Sequence, residues 1–312
     1  MRRHALYGAA FGLLAVAAAL ALAGWGEEPG ALSDWQAYTL GVVQGLTELL
    51  PISSSGHLIL VPWLADWTYL AANQSFNQTF DVALHLGTLV AVGTYFFRDI
   101  VRLVVAWLRT VSKRSIETAD EKVAWIVLVA TIPAAAVGLL FEDAIAEHLG
   151  EPWQIAILLA VFAGVLWLAD RTPATRTAAA LSLREALAIG FAQALALMPG
   201  VSRSGVTITA ARLLKLDRDA AARLSFLLLI PTVLGAVLLK GIGDVLLGDL
   251  PAGWKGPFLV GTIAAAGSGL LAIDWLLGYV RRHDYSIFVV YRVALAAAIL
   301  LLIASGVRAA SF

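Results

Sequence analysis

Cysteine is absent from the 312 residues, which removes disulfide staples, thiolate metal sites and a cysteine nucleophile together. Charge is scarce as well. Only 14% of residues are Asp, Glu, Lys or Arg, and 22 basic side chains are balanced by 22 acidic ones. A chain of zero net charge has no general basic field to draw nucleic acid, and its basic residues sit in short clusters between apolar runs, as topology signals do. With 60% of the chain hydrophobic, too little polar surface remains to solvate a soluble domain. The sequence is that of a membrane protein whose first partner is the bilayer and for which nucleic acid is set aside.

What is present is a series of apolar runs. At the N-terminus Arg2, Arg3 and His4 precede an apolar run from Ala5 to about Trp25, followed by the acidic stretch Glu27 to Asp34. Ala21-Leu22-Ala23 has the small-x-small form of a signal-peptidase site, but the run is longer than a usual signal core, and a retained spanning helix is the favoured reading. Six further runs, at about 79–97, 122–141, 153–169, 224–243, 257–280 and 287–304, each approach the ~20 residues a helix needs to cross the hydrocarbon. Arg98, Arg102, Arg109, Lys113 and Arg114 follow the first run; Arg171, Arg176 and Arg184 the third; Arg281 and Arg282 the fifth. These linkers are expected on the cytoplasmic side, while Glu142 to Glu151 and Asp244 to Lys255 fit the other side, with the C-terminus outside.

Two stretches break this pattern, Trp35 to about Trp63 and Leu183 to about Leu216. The first is interrupted by Leu50-Pro51-Ile52-Ser53-Ser54-Ser55-Gly56-His57 and the second by Met198-Pro199-Gly200-Val201-Ser202-Arg203-Ser204-Gly205. Proline, glycine and serine end helices and free backbone groups, so neither half is long enough to cross. Bare backbone at membrane depth is tolerated only against protein or a water-filled cavity, which predicts two re-entrant helix hairpins lining a site. The charge pattern sends the first in from outside and the second in from the cytoplasm. At an offset of 149 the segments match without a gap at Gly41/Gly190, Gln44/Gln193, Leu46/Leu195, Ser53/Ser202, Ser55/Ser204 and Gly56/Gly205; an inverted repeat and a chance likeness of two Gly/Ser turns both explain this. The predicted fold is an all-α polytopic membrane protein with six core spanning helices, two oppositely oriented re-entrant hairpins and an extra N-terminal apolar helix. Residues 1–34 form the N-terminal segment and external linker, and 35–312 one membrane-embedded domain of two repeats, about 35–170 and 171–312.

Ionisable groups at membrane depth are costly and are functional candidates by default. Gln44 and Glu48 share one helical face one turn apart; Glu48 can bind a hard cation or act as a base, with Gln44 offering a carbonyl oxygen or an amide donor beside it. The plainer role for Glu48 is to cap its own hairpin or pair with Arg203. Ser53, Ser54 and Ser55 sit in a turn with His57 within reach, the minimal form of an activated nucleophile, although turn serines also serve as caps. Arg203 stays charged and offers planar, bidentate donors suited to phosphate, with glycines and serines beside it that let backbone N–H groups approach the same anion. Asp81 and His85 either support the site or solvate a helix end, and are left out of the catalytic set.

These residues carry a resemblance. Gly41-Val42-Val43-Gln44-Gly45-Leu46-Thr47-Glu48, continuing through Leu49 to His57, and Pro199-Gly200-Val201-Ser202-Arg203-Ser204-Gly205-Val206-Thr207 resemble the signatures of the undecaprenyl-diphosphatase family associated with bacitracin resistance. The resemblance covers about 35 to 305 and includes Ser225-Phe226-Leu227-Leu228 and Tyr291-Arg292. It implies hydrolysis of a C55 polyprenyl diphosphate to the monophosphate and inorganic phosphate, at an externally facing site in the bacterial inner membrane. It implies Glu48, with Gln44, for metal and acid/base work, and a turn serine with His57 for attack and proton transfer; Ser54 is the serine expected to attack the terminal phosphorus, or to orient a water that does, with His57 as base. Arg203, with Ser53, Ser55, Ser202, Ser204 and Thr207, is implied for the phosphate. A divalent cation, magnesium or calcium, and a homodimer follow from the same resemblance. Glutamine at position 44 removes a formal charge that the family's pattern also allows as glutamate, which puts a two-carboxylate metal site in doubt. A transporter or flippase for the same lipids is the alternative that the inverted repeat keeps open. The type-2 phosphatidate phosphatases share Ser-Gly-His and Ser-Arg elements, but no histidine follows Ser202-Arg203 at short range.

Overall fold

The computed structural model describes residues 2–23, 32–67, 74–239 and 255–311, and within these it is helical, without a strand. Twelve α-helices run in order: α1 (Arg2–Ala23), α2 (Asp34–Leu49), α3 (Ser54–Ala65), α4 (Gln74–Tyr95), α5 (Phe97–Lys113), α6 (Ala119–His148), α7 (Pro152–Asp170), α8 (Leu183–Ala194), α9 (Arg203–Leu213), α10 (Arg218–Ala236), α11 (Lys255–Val280) and α12 (Ser286–Ala304). Local sequence sets the starts. Ser33 with Gln36, Thr118 with Glu121 and Ser182 with Glu185 form reciprocal capping boxes at α2, α6 and α8, each satisfying two otherwise orphaned amides.

Among the described residues six helices, α1, α6, α7, α10, α11 and α12, are long and apolar enough to cross a membrane, so the chain is a multi-pass membrane protein. This set differs from the predicted one. Most of the run 79–97 lies in α4, but Asp81 and His85 dilute it, and the sixth member is α1 instead. The arginine-rich segment after α4, expected as a linker, is helix α5, which buries Leu103, Ala106 and Thr110 along one face and is anchored where the Trp125 indole donates to Thr110 Oγ1 at 2.9 Å. Most of the external linker, residues 24–31, and nearly all of the linker Asp244 to Lys255 lie outside the described residues.

Both interrupted stretches form helix-break-helix pairs. The halves hold 16 and 12 residues in α2 and α3, and 12 and 11 in α8 and α9. At 1.5 Å per residue the longest reaches about 24 Å and the others less than about 20 Å, short of a bilayer core of roughly 30 Å.

Helix α2 lies against α11 through small residues. A Cβ added to Gly41 would stand 2.3 Å from the Gly261 carbonyl oxygen, and one on Gly45 2.0 Å from Ser268 Oγ and 2.4 Å from the Ala265 oxygen. The spacing is Gly-x-x-x-Gly, which lets helix backbones approach where lipid supplies no hydrophobic drive between helices. Gly190, the partner of Gly41 in the sequence match, makes the same kind of approach on α6, where a Cβ would meet the Ala130 oxygen at 2.6 Å. Helix α1 packs along α11 as well, with the Ala10 oxygen 3.0 Å from a Cβ placed on Gly267.

At one end of the bundle Asp170, closing α7, gathers four elements. Arg218 Nε donates to Asp170 Oδ1 at 2.7 Å, Arg212 Nε to the same oxygen at 3.2 Å and the Tyr285 amide to Oδ2 at 3.0 Å. Arg212, in the arginine- and lysine-containing segment after the second break, is therefore a buried clamp. The loop leading into α8 is held similarly: Arg176 Nη1 donates to Glu185 Oε1 at 2.6 Å and keeps that carboxyl far below its usual range, at about 2.

Gly45→Ala is expected to cost about 1–3 kcal/mol of stability through overpacking against α11, whereas Gly93→Ala, whose Cβ meets nothing within 4 Å, leaves the thermal midpoint in detergent unchanged. The Glu185 carboxyl has its lowered pKa only in the folded chain, so its contribution is complete above the ordinary value of 4.5 and disappears as pH falls toward about 2. Thermal unfolding should accordingly place wild type above Glu185→Gln at pH 6, with the gap narrowed at pH 3 and closed only as pH approaches about 2.

Candidate active site

The two breaks are built alike. Leu50, held extended ahead of Pro51, ends the first helix, and Met198, held extended ahead of Pro199, ends the turn that follows α8; the residue before proline is pushed out of helical conformation in both cases. Ser53 and Ser202 then each adopt φ of +77°, a region that side-chain-bearing residues rarely occupy. Each caps the helix that follows: Gly56 N–H donates to Ser53 Oγ at 3.3 Å and Gly205 N–H to Ser202 Oγ at 3.1 Å.

The breaks touch. Gly200 N–H donates to Ser53 Oγ at 3.1 Å, and Ser204 Oγ donates to the Leu50 carbonyl at 2.9 Å. The N-termini of α3 and α9, beginning at Ser54 and Arg203, therefore converge, and the positive ends of two helix dipoles face one place. At that place Arg203 donates from Nε and Nη2 to Glu48 Oε1, at 3.3 and 3.1 Å. Ser54 Oγ donates a short hydrogen bond to Glu48 Oε2, and Gln44 Nε2 donates to the same oxygen at 3.3 Å. Arg203 Nη1 is turned to the Ser225 carbonyl. Glu48 is only 5% exposed and Arg203 11%.

The structure brings Glu48, Arg203, Ser54 and Gln44 together as the sequence grouped them, but bonds the Ser54 hydroxyl to Glu48 and not to His57. His57 has both ring nitrogens engaged elsewhere, Nδ1 on the Ser53 carbonyl at 2.6 Å and Nε2 on the Tyr291 hydroxyl at 2.7 Å. Since a carbonyl only accepts, Nδ1 carries the hydrogen and Nε2 receives one from Tyr291. The group touching the Ser54 hydroxyl is Glu48. Ser53 and Ser202 are caps. Ser204 is spent on Leu50, while the Thr207 hydroxyl donates to Ser225 Oγ at 2.7 Å. Ser55 lies in the first turn of α3 beside Ser54.

Three residues outside the predicted set belong to this assembly. Tyr291 orients His57. Arg292, fully buried, donates to the Pro51, Gly200, Val201, Leu158 and Leu159 carbonyls, so one guanidinium satisfies carbonyls freed by both breaks. His85 reaches in from α4, with Nε2 3.5 Å from Glu48 Oε2; Asp81 and His85 falling one turn apart was the signal, set aside because the sequence could not show which way α4 faces. For a cation, the fitting groups are Glu48 and Gln44, whose Oε1 is buried without a hydrogen-bond partner. A cleft of about 680 Å³ lies at the Asp170 end of the bundle, lined by Arg171, Arg212, Arg218 and Arg281 among others. Three of those arginines are already paired with aspartates, and none of the predicted residues lines it.

A sequence model of the family described as bacitracin resistance protein BacA matches residues 37–298. The chain is similar to an undecaprenyl-diphosphatase of Thermomicrobium roseum, 46% identical over 281 residues covering 87% of this chain and 99% of that protein. It is similar to undecaprenyl-diphosphatases of Desulforudis audaxviator, 46% identical over 85% of this chain and 95% of the other, and of Nocardioides sp., 45% identical over 88% and 98%.

Removing one member of the buried ion pair strands the other. Arg203→Met and Glu48→Gln are each expected to cost about 3–5 kcal/mol, and the double variant clearly less than the sum, as read from unfolding of the purified protein in detergent. Strictly additive losses would show that the two side chains do not interact.

Proposed function

The chain belongs to the bacitracin resistance protein BacA family and is a phosphatase of undecaprenyl diphosphate, and from that premise we propose that Glu48, Ser54 and Arg203 perform the hydrolysis where the two helix breaks meet. The observation that carries this assignment is the Glu48 carboxylate, bonded on one oxygen by the Arg203 guanidinium and on the other by the Ser54 hydroxyl. A nucleophile, the base that takes its proton and a cation for phosphate are thus in direct contact, which is the arrangement that phosphoryl transfer requires of a protein.

In the proposed reaction the Ser54 oxygen attacks the terminal phosphorus as its proton passes to Glu48. The bond from that phosphorus to the bridging oxygen breaks, and undecaprenyl phosphate leaves with the electron pair. Water then attacks the phosphoserine, releasing inorganic phosphate and restoring the hydroxyl. Arg203 turns its donors from Glu48 to the equatorial phosphate oxygens, and the converging α3 and α9 N-termini add their partial positive charge. His57, tied to Ser53 and Tyr291, holds the first break in shape. Ser204 and Thr207 brace the second. Glu48 and Gln44 are the residues that would hold a divalent cation, magnesium or calcium, which when bound spreads the charge of the diphosphate.

Both hairpins are read as re-entrant, entering from opposite leaflets as an inverted repeat. The support is their shared device: equal φ at Ser53 and Ser202, equal caps, and close glycine contacts at Gly41 and Gly190. With arginine-rich segments on the cytoplasmic side, the site opens to the external face of the bacterial plasma membrane, where the carrier lipid of wall synthesis is recycled and bacitracin acts.

Purified wild type in detergent, given polyprenyl diphosphate and magnesium, is expected to release inorganic phosphate, with Ser54→Ala and Glu48→Gln slower by about 10²-fold or more while still folded. Acid quenching should trap phosphate on Ser54. Full turnover by Ser54→Ala would make water the nucleophile, and full turnover by Glu48→Gln would remove the proposed site.

A further inference from the structure

We infer that helix α5 lies in the surface of the bilayer and binds anionic phospholipid, with an exposed apolar stripe among the acyl chains and its arginines on the phosphates. Residues 97–114 hold five basic side chains, Arg98, Arg102, Arg109, Lys113 and Arg114, against one acidic one, Asp99. That much charge bars the 17 residues of α5 from the hydrocarbon core. The helix is nevertheless far from a polar one.

Three stripes run along it. Leu103, Ala106 and Thr110 are buried and face the rest of the chain, where the Trp125 indole holds Thr110. Phe97, Val101, Val104, Leu108 and Val111, spaced four and three residues apart, form a second stripe whose members are between 46% and 65% exposed. With about 3.6 residues per turn this stripe stands roughly 150° from the buried one, so it points away from the protein. Arg98, Arg102, Arg109 and Lys113, all exposed, form the third, about 130° from the apolar stripe. An apolar stripe with a basic one running beside it is the pattern of a helix lying at headgroup level: apolar side chains enter the acyl boundary while long basic ones reach up to the phosphates.

The basic stripe is only partly neutralised by the chain itself. Arg102 is shared between Asp99 at 2.8 Å and Asp120 at 3.4 Å, and Lys113 reaches Glu117 at 3.7 Å. Arg98, Arg109 and Arg114 have no carboxylate partner among the described residues. A guanidinium presents paired N–H groups that match the oxygens of a phosphodiester. Steps of four and three residues would also suit a helix of a second copy, but two such helices face to face would bring their basic stripes together. An anionic lipid surface accommodates the apolar and the basic stripe at once.

Because the chain has no cysteine, a single label reports from one position. Full-length Val104→Cys and Leu108→Cys, each carrying a fluorophore, are placed in phosphatidylcholine nanodiscs with a minor share of acyl-brominated phosphatidylglycerol or acyl-brominated phosphatidylcholine. Both labels should be quenched, by phosphatidylglycerol about threefold more strongly at equal mole fraction, and about 0.5 M NaCl should remove that preference. Arg98→Gln, Arg109→Gln and Arg114→Gln together should keep the quenching and lose the preference, whereas Arg98→Lys, Arg109→Lys and Arg114→Lys together should retain both. The salt dependence is read on the unsubstituted arginines, so the test stands even if the glutamine variant does not fold. Labels quenched by neither lipid, equal quenching by both lipids before substitution, or a preference that survives the glutamine variant would overturn the inference. Close approach of the labels of two copies would give the stripe to a second chain and overturn it as well.

Discussion

The ion pair between Glu48 and Arg203 is what the rest of the protein is arranged around. Each of these charges would cost several kcal/mol to withdraw from water alone, and a guanidinium at membrane depth cannot escape by losing its proton. Each hairpin is therefore unfavourable without the other. Joined, they place a carboxylate and a cation in contact, and the residue that shares the carboxylate is a serine hydroxyl. The same contact that makes the two broken stretches mutually dependent thus sets a serine hydroxyl against a carboxylate, so the structural role of Glu48 does not compete with the chemical one proposed for it.

Breaking a helix inside a bilayer leaves carbonyl and amide groups that no water can satisfy. The protein's answer is concentrated in a few side chains. Arg292 collects carbonyls from both breaks and from α7, and Ser53 serves an amide in its own hairpin and one in the other. The φ of +77° at Ser53 and Ser202 is strain of about 1–3 kcal/mol each, held by these bonds. The strain has a use: it turns the following helices so that their N-terminal amides face the place where an anion would sit.

Precision in that arrangement comes from helix contacts without side chains between them. Gly41 and Gly45 bring α2 onto α11 at backbone distance, and Gly190 brings α8 onto α6. A flexible interface of larger side chains would let the hairpins slide, and a hydroxyl displaced by about 1 Å is a poor nucleophile. The Asp170 network at the opposite end ties α7, α9, α10 and the start of α12 together, so that Tyr291 and Arg292 on α12 arrive at the breaks in register.

Much of this was legible in the chain itself. Hydropathy and charge spacing specify the membrane class, because a spanning helix has a fixed length and an apolar exterior, and Pro51 and Pro199 mark the breaks, because proline constrains its own and the preceding residue wherever it occurs. Glu48 and Arg203 stood out as costly charges inside the two broken stretches, and Ser54 as a hydroxyl in the first break. Facing is different. Whether Ser54 leans on His57 or Glu48, whether His85 looks at lipid or into the site, and whether Arg212 and Arg292 are surface charges or buried clamps depends on helix rotation and on partners more than a hundred residues away. Those choices are made by close packing and by the need to satisfy every buried polar group, which act between segments and leave no pattern within any one of them.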